Sequence, residues 1–207
     1  MDEQVLRSLI KWPNVPDCFG WLALDRRGQW RMRDEYAQAN QLPGNTIQHV
    51  ALNEFISRNY AHDTLGRYFF QNGPQRVFVT LDATPWIARM IPSLDSANKL
   101  KLLTQCGTPI HPQGALSDEK GNIYITGSIP QSLPHHPDSN TFSQTESLTV
   151  ALLHDHDLDL FSDQSKVQED ACSFRGSWQW DGKALPIEPI HSTELAQRFH
   201  FIKAPSN

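Results

Sequence analysis

Apolar residues along this chain come in short bursts broken by turn-forming residues, and the densest burst runs from Arg67 to Trp86, RYFFQNGPQRVFVTLDATPW. Within it, Tyr68-Phe69-Phe70 and Val77-Phe78-Val79-Thr80-Leu81 flank Gln71-Asn72-Gly73-Pro74-Gln75. Asn-Gly between two strand-like runs predicts a hairpin over 67–81, because both residues tolerate positive φ. Pro74 offers no ladder donor, which predicts a loop longer than two residues. Just upstream, Ile47, Val50, Ala51 and Phe55 recur at helical spacing. They predict a helix over 46–61, capped by Asn45 after the Pro43-Gly44 break and laid over the hairpin. Burying each of those four side chains would contribute roughly 1.5–3 kcal/mol.

Elsewhere the period changes with position. Val5, Leu6, Leu9 and Ile10 predict an amphipathic helix over 2–11, stopped at Pro13. Trp30 and Met32 alternate with polar neighbours after Gly28, which predicts a second hairpin over 19–33. Leu100 to Thr104, Asn122 to Thr126 and Leu148 to Leu153 predict strands, while Cys106 to Gln113 reads as loop. Residues 128–147, rich in Pro, Ser, His and Asn, predict the longest loop. Asp181-Gly182 predicts a hairpin within 174–190, and Ser192 a cap for a short helix that turns Leu195, Phe199 and Ile202 inward.

This pattern is that of an α+β protein, mainly antiparallel β-hairpins with a few packed helices. It divides into an N-terminal α+β half, 1–105, holding helix 46–61 and hairpin 67–81, and a C-terminal β-rich half, 106–207, ending in a short helix. The two form either separate halves or one continuous domain. Asp25-Arg-Arg-Gly28-Gln-Trp30-Arg-Met32 echoes Asp118-Glu-Lys-Gly121-Asn-Ile123-Tyr-Ile125. That echo suits either a duplicated β unit or any tight turn entering an alternating strand.

Composition narrows the class of protein. Six Trp and ten Phe among 207 residues supply apolar surface for a core and argue against disorder. A net charge of -5 gives no general attraction for nucleic acid or anionic lipid, and no basic stripe with interleaved aromatics occurs. No apolar run long enough to span a membrane is present, and the acidic N-terminus does not read as a leader. Three widely spaced cysteines, Cys18, Cys106 and Cys172, suit a reducing cytoplasm.

Two groups of residues could carry chemistry. On a strand, His154 and His156 would share one face ~6–7 Å apart, close enough to reach one divalent metal, with Asp155, Asp157 and Asp159 on the other. A third ligand would come from His111, His135, His136 or His191, and His135 is the one grouped with the pair. Metal-dependent double-stranded β-helix proteins place Glu four or five residues after such a pair, where this chain has Leu160 and Phe161. The ordinary alternative is a strand end entering a solvated acidic loop. Arg67, Arg76 and Arg89, framed by Asn72 and the turn amides, form a candidate anion site, since arginine forks suit carboxylate and phosphate. Three unrelated surface arginines would read the same way. Phosphate loops, nucleophile elbows, His-Glu-x-x-His and Cys-x-x-Cys are all missing from the sequence.

The run Gly28-x-Trp30, the following helix, Tyr68-Phe69-Phe70, Val77-Phe78-Val79 and Thr84-Pro85-Trp86 resembles uncharacterised proteobacterial families of unknown function. The resemblance covers the first half of the chain. It implies a cytosolic α+β fold with repeated β units and a regulatory role, and supplies no catalytic residues. The expected function is therefore a non-enzymatic module binding a small molecule or a protein partner, a second copy of the chain included. The rival is a metal-dependent enzyme built on the His-x-His pair.

Overall fold

The protein is described by a computed structural model covering residues 1–94, 100–130, 148–170 and 173–206. It is an α+β fold of two compact units: residues 1–85 with 200–206, and residues 86–130 with 148–199. The division falls between Pro85 and Trp86 rather than near residue 105, because the strand that starts at Trp86 pairs within the second unit. No helix of the described residues is long and apolar enough to cross a membrane.

In the first unit, α1 (Glu3–Lys11) precedes β1 (Cys18–Leu24), β2 (Trp30–Met32), α2 (Glu35–Ala39) and β3 (Asn45–Thr46). Then come α3 (Val50–Arg58), β4 (Tyr60–His62), β5 (Tyr68–Asn72) and β6 (Gln75–Leu81). The sheet order is β3-β2-β1-β6-β5-β4, with β1 and β6 parallel at its centre. The expected hairpin is present as β5–β6, and it buries Phe69, Phe70 and Val79, with Val77 half-buried. Its loop is shorter than Pro74 suggested. Asn72 pairs with Gln75, so Gly73-Pro74 alone makes the turn, with Gly73 at φ 58°. Positive φ at the first central residue only is the II′ pattern, which a proline at the second position satisfies.

The helix expected over 46–61 is shorter and presents another face. Asn45 and Thr46 belong to β3, and the cap is His49, whose Nδ1 accepts the Leu52 N–H at 3.2 Å. With Val50 as the first helical residue, Val50 and Ala51 are exposed and Ile47 is half-buried. Ile56 is buried instead, Phe55 meets Phe70 edge-on at 5.4 Å, and Ser57 accepts the Trp30 indole N–H.

The second unit holds β7 (Trp86–Pro92), β8 (Leu100–Thr104), β9 (His111–Ser117), β10 (Ile123–Ser128) and β11 (Leu148–Leu153). It continues with a 3-10 turn (Asp155–Asp157), α4 (Leu158–Asp163), β12 (Ser165–Asp170), β13 (Ser173–Trp180), β14 (Lys183–Pro189) and α5 (Leu195–Arg198). Strand β9 begins inside the stretch read as loop, and most of the long loop expected over 128–147 lies outside the described residues. Helix α5 takes Glu194 rather than Ser192 as its cap residue. Leu195 is buried, whereas Ile202 is exposed and its neighbour Phe201 is buried in its place.

The sheet order in this unit is β12-β13-β14-β9-β10-β11-β7-β8. Read from the other end, β11-β10-β9-β14-β13-β12 repeats the plan of the first unit, with α4 between β11 and β12 as α3 lies between β3 and β4. Register repeats too. Leu24 pairs with Leu81 and the Asp82 N–H reaches the Leu24 carbonyl; Ser117 pairs with Pro189 and the Ile190 N–H reaches the Ser117 carbonyl. A generic turn would not reproduce order, parallel pairing and register together. The two β-rich units are thus built on one plan, to which the second adds β7 and β8.

Candidate functional site

Four turns punctuate these sheets in the same way. Asp25, Asp63 and Asp118 each place Oδ1 on two backbone N–H groups, two and four residues onward, at 2.9–3.0 Å. Thr104 does the same with Oγ1, to Cys106 and Thr108. Each turn ends at a glycine, Gly28, Gly66, Gly107 or Gly121, with φ of 75–77°. The Asp63 carboxylate also accepts the Arg67 Nε–H at 2.7 Å. Burial alone would raise the Asp63 pKa, but the Arg67 hydrogen bonds and charge and the Leu65 amide hold it below the usual carboxylate range. Asp63 thus serves a turn between β4 and β5, inside the sheet.

This bears directly on the arginines. Arg67 is held by Asp63 and lies over the Phe78 ring at 4.6 Å. Arg76 lies over the Phe69 ring at 4.9 Å, half-buried. Phe69 pairs with Phe78 across β5–β6, so both arginines belong to one face of the sheet. Phe19 stacks on Phe78 at 4.6 Å and, with Met1, packs on the cluster of Ala61, Phe69 and Phe78. Asn72 pairs with Gln75 and alternates to the opposite face, away from Arg76. Arg89 lies in the second unit, where its Nε–H donates to Asp157 Oδ2 at 2.8 Å. Within the first unit, Asn72 thus does not share the face of Arg67 and Arg76. Arg67 and Arg76 share a face, and only Arg76 lacks a carboxylate partner among the described residues.

The His-x-His pair also departs from expectation. Strand β11 ends at Leu153, and His154 caps the 3-10 turn, its Nδ1 accepting the His156 N–H at 3.1 Å. Two-faced strand alternation therefore does not apply here. The rings of His154 and His156 lie edge to face at 4.8 Å, and Asp155 Oδ1 comes within 2.9 Å of His154 Nδ1 instead of pointing away. The donor atoms of His154, Asp155 and His156 all lie within 4.8 Å of one another. His154 is 5% exposed. Burial first, and the Arg89 charge second, lower its pKa and favour the neutral imidazole. Asp157 is buried against Arg89 and the Met90 N–H, so it does not join this group. His135, the expected third ligand, lies outside the described residues.

A further polar group joins the β9–β10 turn to the segment before α5. Ser192 donates both its N–H and its hydroxyl to Glu119, at 2.9 and 2.5 Å, and these bonds draw the Glu119 pKa down to about 2. The His191 imidazole bonds Thr193 rather than Ser192, so this is a clasp and not a nucleophile–base pair. Sequence reasoning missed it because Glu119 and Ser192 become neighbours only through the β9–β14 pairing.

Comparisons with known proteins set this geometry in context. No curated relative matches. Among solved structures, the chain is similar to a DUF1285 family protein from Silicibacter pomeroyi DSS-3, with 14% identity, 84% of each chain covered and a TM-score of 0.49. The family model described as "Protein of unknown function (DUF2946)" matches residues 1–206, and the chain belongs to that family.

Proposed function

We propose that this protein is a cytoplasmic, non-enzymatic regulatory module that binds a small anionic molecule, a carboxylate or phosphate with an apolar body, beside Arg76. The observation that carries this reading is Arg76 itself. Its half-buried guanidinium rests on Phe69 without a carboxylate partner among the described residues, while Arg67 and Arg89 are each held by an aspartate. A stacked guanidinium keeps its outward N–H donors in a fixed fork, the geometry that suits carboxylate and phosphate oxygens. Phe19 and Met1, packed on the same aromatic cluster, offer apolar surface for the rest of such a ligand. The cytoplasmic reading rests on three cysteines, Cys18, Cys106 and Cys172, set far apart in the sequence.

The test is a thermal-shift screen at low salt against organic acids and phosphorylated metabolites, repeated with Arg76→Ala and with Arg7→Ala, which alters an exposed arginine paired to Glu3. A compound that raises the Tm of the native protein and of Arg7→Ala but not of Arg76→Ala supports the site. A flat response over the panel, or a shift that survives Arg76→Ala, overturns it.

A further inference from the structure

The strand plan shared by the two units supplies a comparison within one molecule. In the first unit His49 caps α3 through Nδ1, and the residues beside it, Gln48 and Val50, are not metal ligands. In the second unit, between the corresponding strand and α4, His154 also caps through Nδ1, here the 3-10 turn that leads into the helix, accepting the N–H two residues on. The cap needs one imidazole. Here it is followed directly by two further donors, Asp155 and His156, which capping does not require.

We infer that His154, Asp155 and His156 form a binding site for one divalent transition-metal ion, independent of the anion site proposed at Arg76. Two imidazoles and a carboxylate make a donor set that first-row ions such as Zn²⁺, Co²⁺ and Ni²⁺ accept. The three donors already lie within 4.8 Å of one another. The 2.9 Å between His154 Nδ1 and Asp155 Oδ1 is the spacing of two ligands at a right angle, about 2.0–2.1 Å from a common ion, as in octahedral coordination. His154 is buried and anchored, whereas Asp155 and His156 are exposed, so water can complete the coordination. The Arg89 charge, which acts on His154, is met by Asp157 at 2.8 Å.

Nδ1 is also where the competing arrangement declares itself. A ring nitrogen has either one lone pair or one hydrogen. It cannot at once accept the His156 N–H and donate to Asp155 Oδ1, although both lie within hydrogen-bonding distance. Either resolution releases the His156 N–H: a proton on Nδ1 would turn the ring into a donor to Oδ1, and a bound cation would take the Nδ1 lone pair and hold Oδ1 beside it. Metal titration separates the two outcomes.

The experiment uses the full chain, freed of any purification tag and of chelator, titrated with Co²⁺ and followed by visible absorption and calorimetry. The expected result is one equivalent bound, with d–d bands that Zn²⁺ displaces. Asp155→Asn and His156→Gln, both at exposed positions, should each weaken binding by about tenfold or more while the circular dichroism stays unchanged. His49→Gln should leave it intact. Failure to bind one equivalent at millimolar Co²⁺ overturns the inference, as does binding that survives either Asp155→Asn or His156→Gln.

Discussion

Asp25 and Asp118 hold the same position in the two units, and their first carboxylate oxygens do the same work, each taking two backbone N–H groups at 2.9 Å. Their second oxygens differ. Asp25 Oδ2 receives the charged Nε–H of Arg31, whereas Asp118 Oδ2 receives the neutral Asn122 amide and the Tyr124 hydroxyl, each at 2.8 Å. One backbone device has thus been tied to its sheet by an ion pair in one unit and by neutral donors in the other.

Asp118 should therefore leave a signature in acid. Burial raises its pKa, but donation from Asn122, Tyr124 and the turn amides outweighs burial and holds it below the usual value. A carboxyl whose folded pKa is depressed contributes stability above its unfolded pKa and loses it as pH falls through the folded one. Asp118→Asn should cost about 1–3 kcal/mol at pH 7. Its deficit relative to the native protein should shrink below about pH 4, measured by urea denaturation across that range.

The repeated turn also separates backbone strain from crowding. Gly66 and Gly121 have φ of 75° and 77°, so alanine at either meets the same left-handed penalty of roughly 1–2 kcal/mol. A Cβ on Gly121 would meet nothing within 4 Å, whereas one on Gly66 would lie 2.0 Å from the His200 carbonyl oxygen. Gly66→Ala should lower the Tm clearly more than Gly121→Ala, because backbone has to move to admit it. Equal losses in a calorimetric comparison would place His200 elsewhere.

Helix α3 offers a third check. Ile56 is 1% exposed and Val50 is 69% exposed, the reverse of what the apolar spacing suggested for Val50. Ile56→Ala should cost about 2–5 kcal/mol, and its counterpart Phe161→Ala in α4, against Trp178, about 3–5 kcal/mol. Val50→Ala should stay within about 0.5 kcal/mol. Chemical denaturation of the three variants would decide which face of α3 is packed.

Much of the fold was legible in local sequence. Asn72-Gly73 between aromatic runs marked the β5–β6 hairpin, because turn chemistry acts over a few residues, whereas the echo of the Asp25 and Asp118 turns left a repeat and a generic turn equally open. The buried face of α3 was not legible, since spacing groups residues by face but packing chooses the face: Ile56 is buried, while Val50 and Ala51 in the first turn are exposed. Strand β9 was hidden by Pro112, which lies at its start, where a missing N–H donor is tolerated.

Hydrophobic period and turn residues determined, without coordinates, that this chain folds as antiparallel hairpins with a few packed helices, because propensity and φ restrictions belong to each residue and its neighbours. Which charged groups remain available was decided by tertiary structure alone. Arg67 and Arg89 are claimed by Asp63 and Asp157, Arg76 is left on Phe69, and a 3-10 turn brings Asp155 to the side of His154 and His156. Arg89 and Asp157 meet across 68 residues of sequence. Although Arg67 and Asp63 lie in one turn and the three donors are consecutive, hydrophobic period says neither which carboxylate a side chain meets nor where a strand stops.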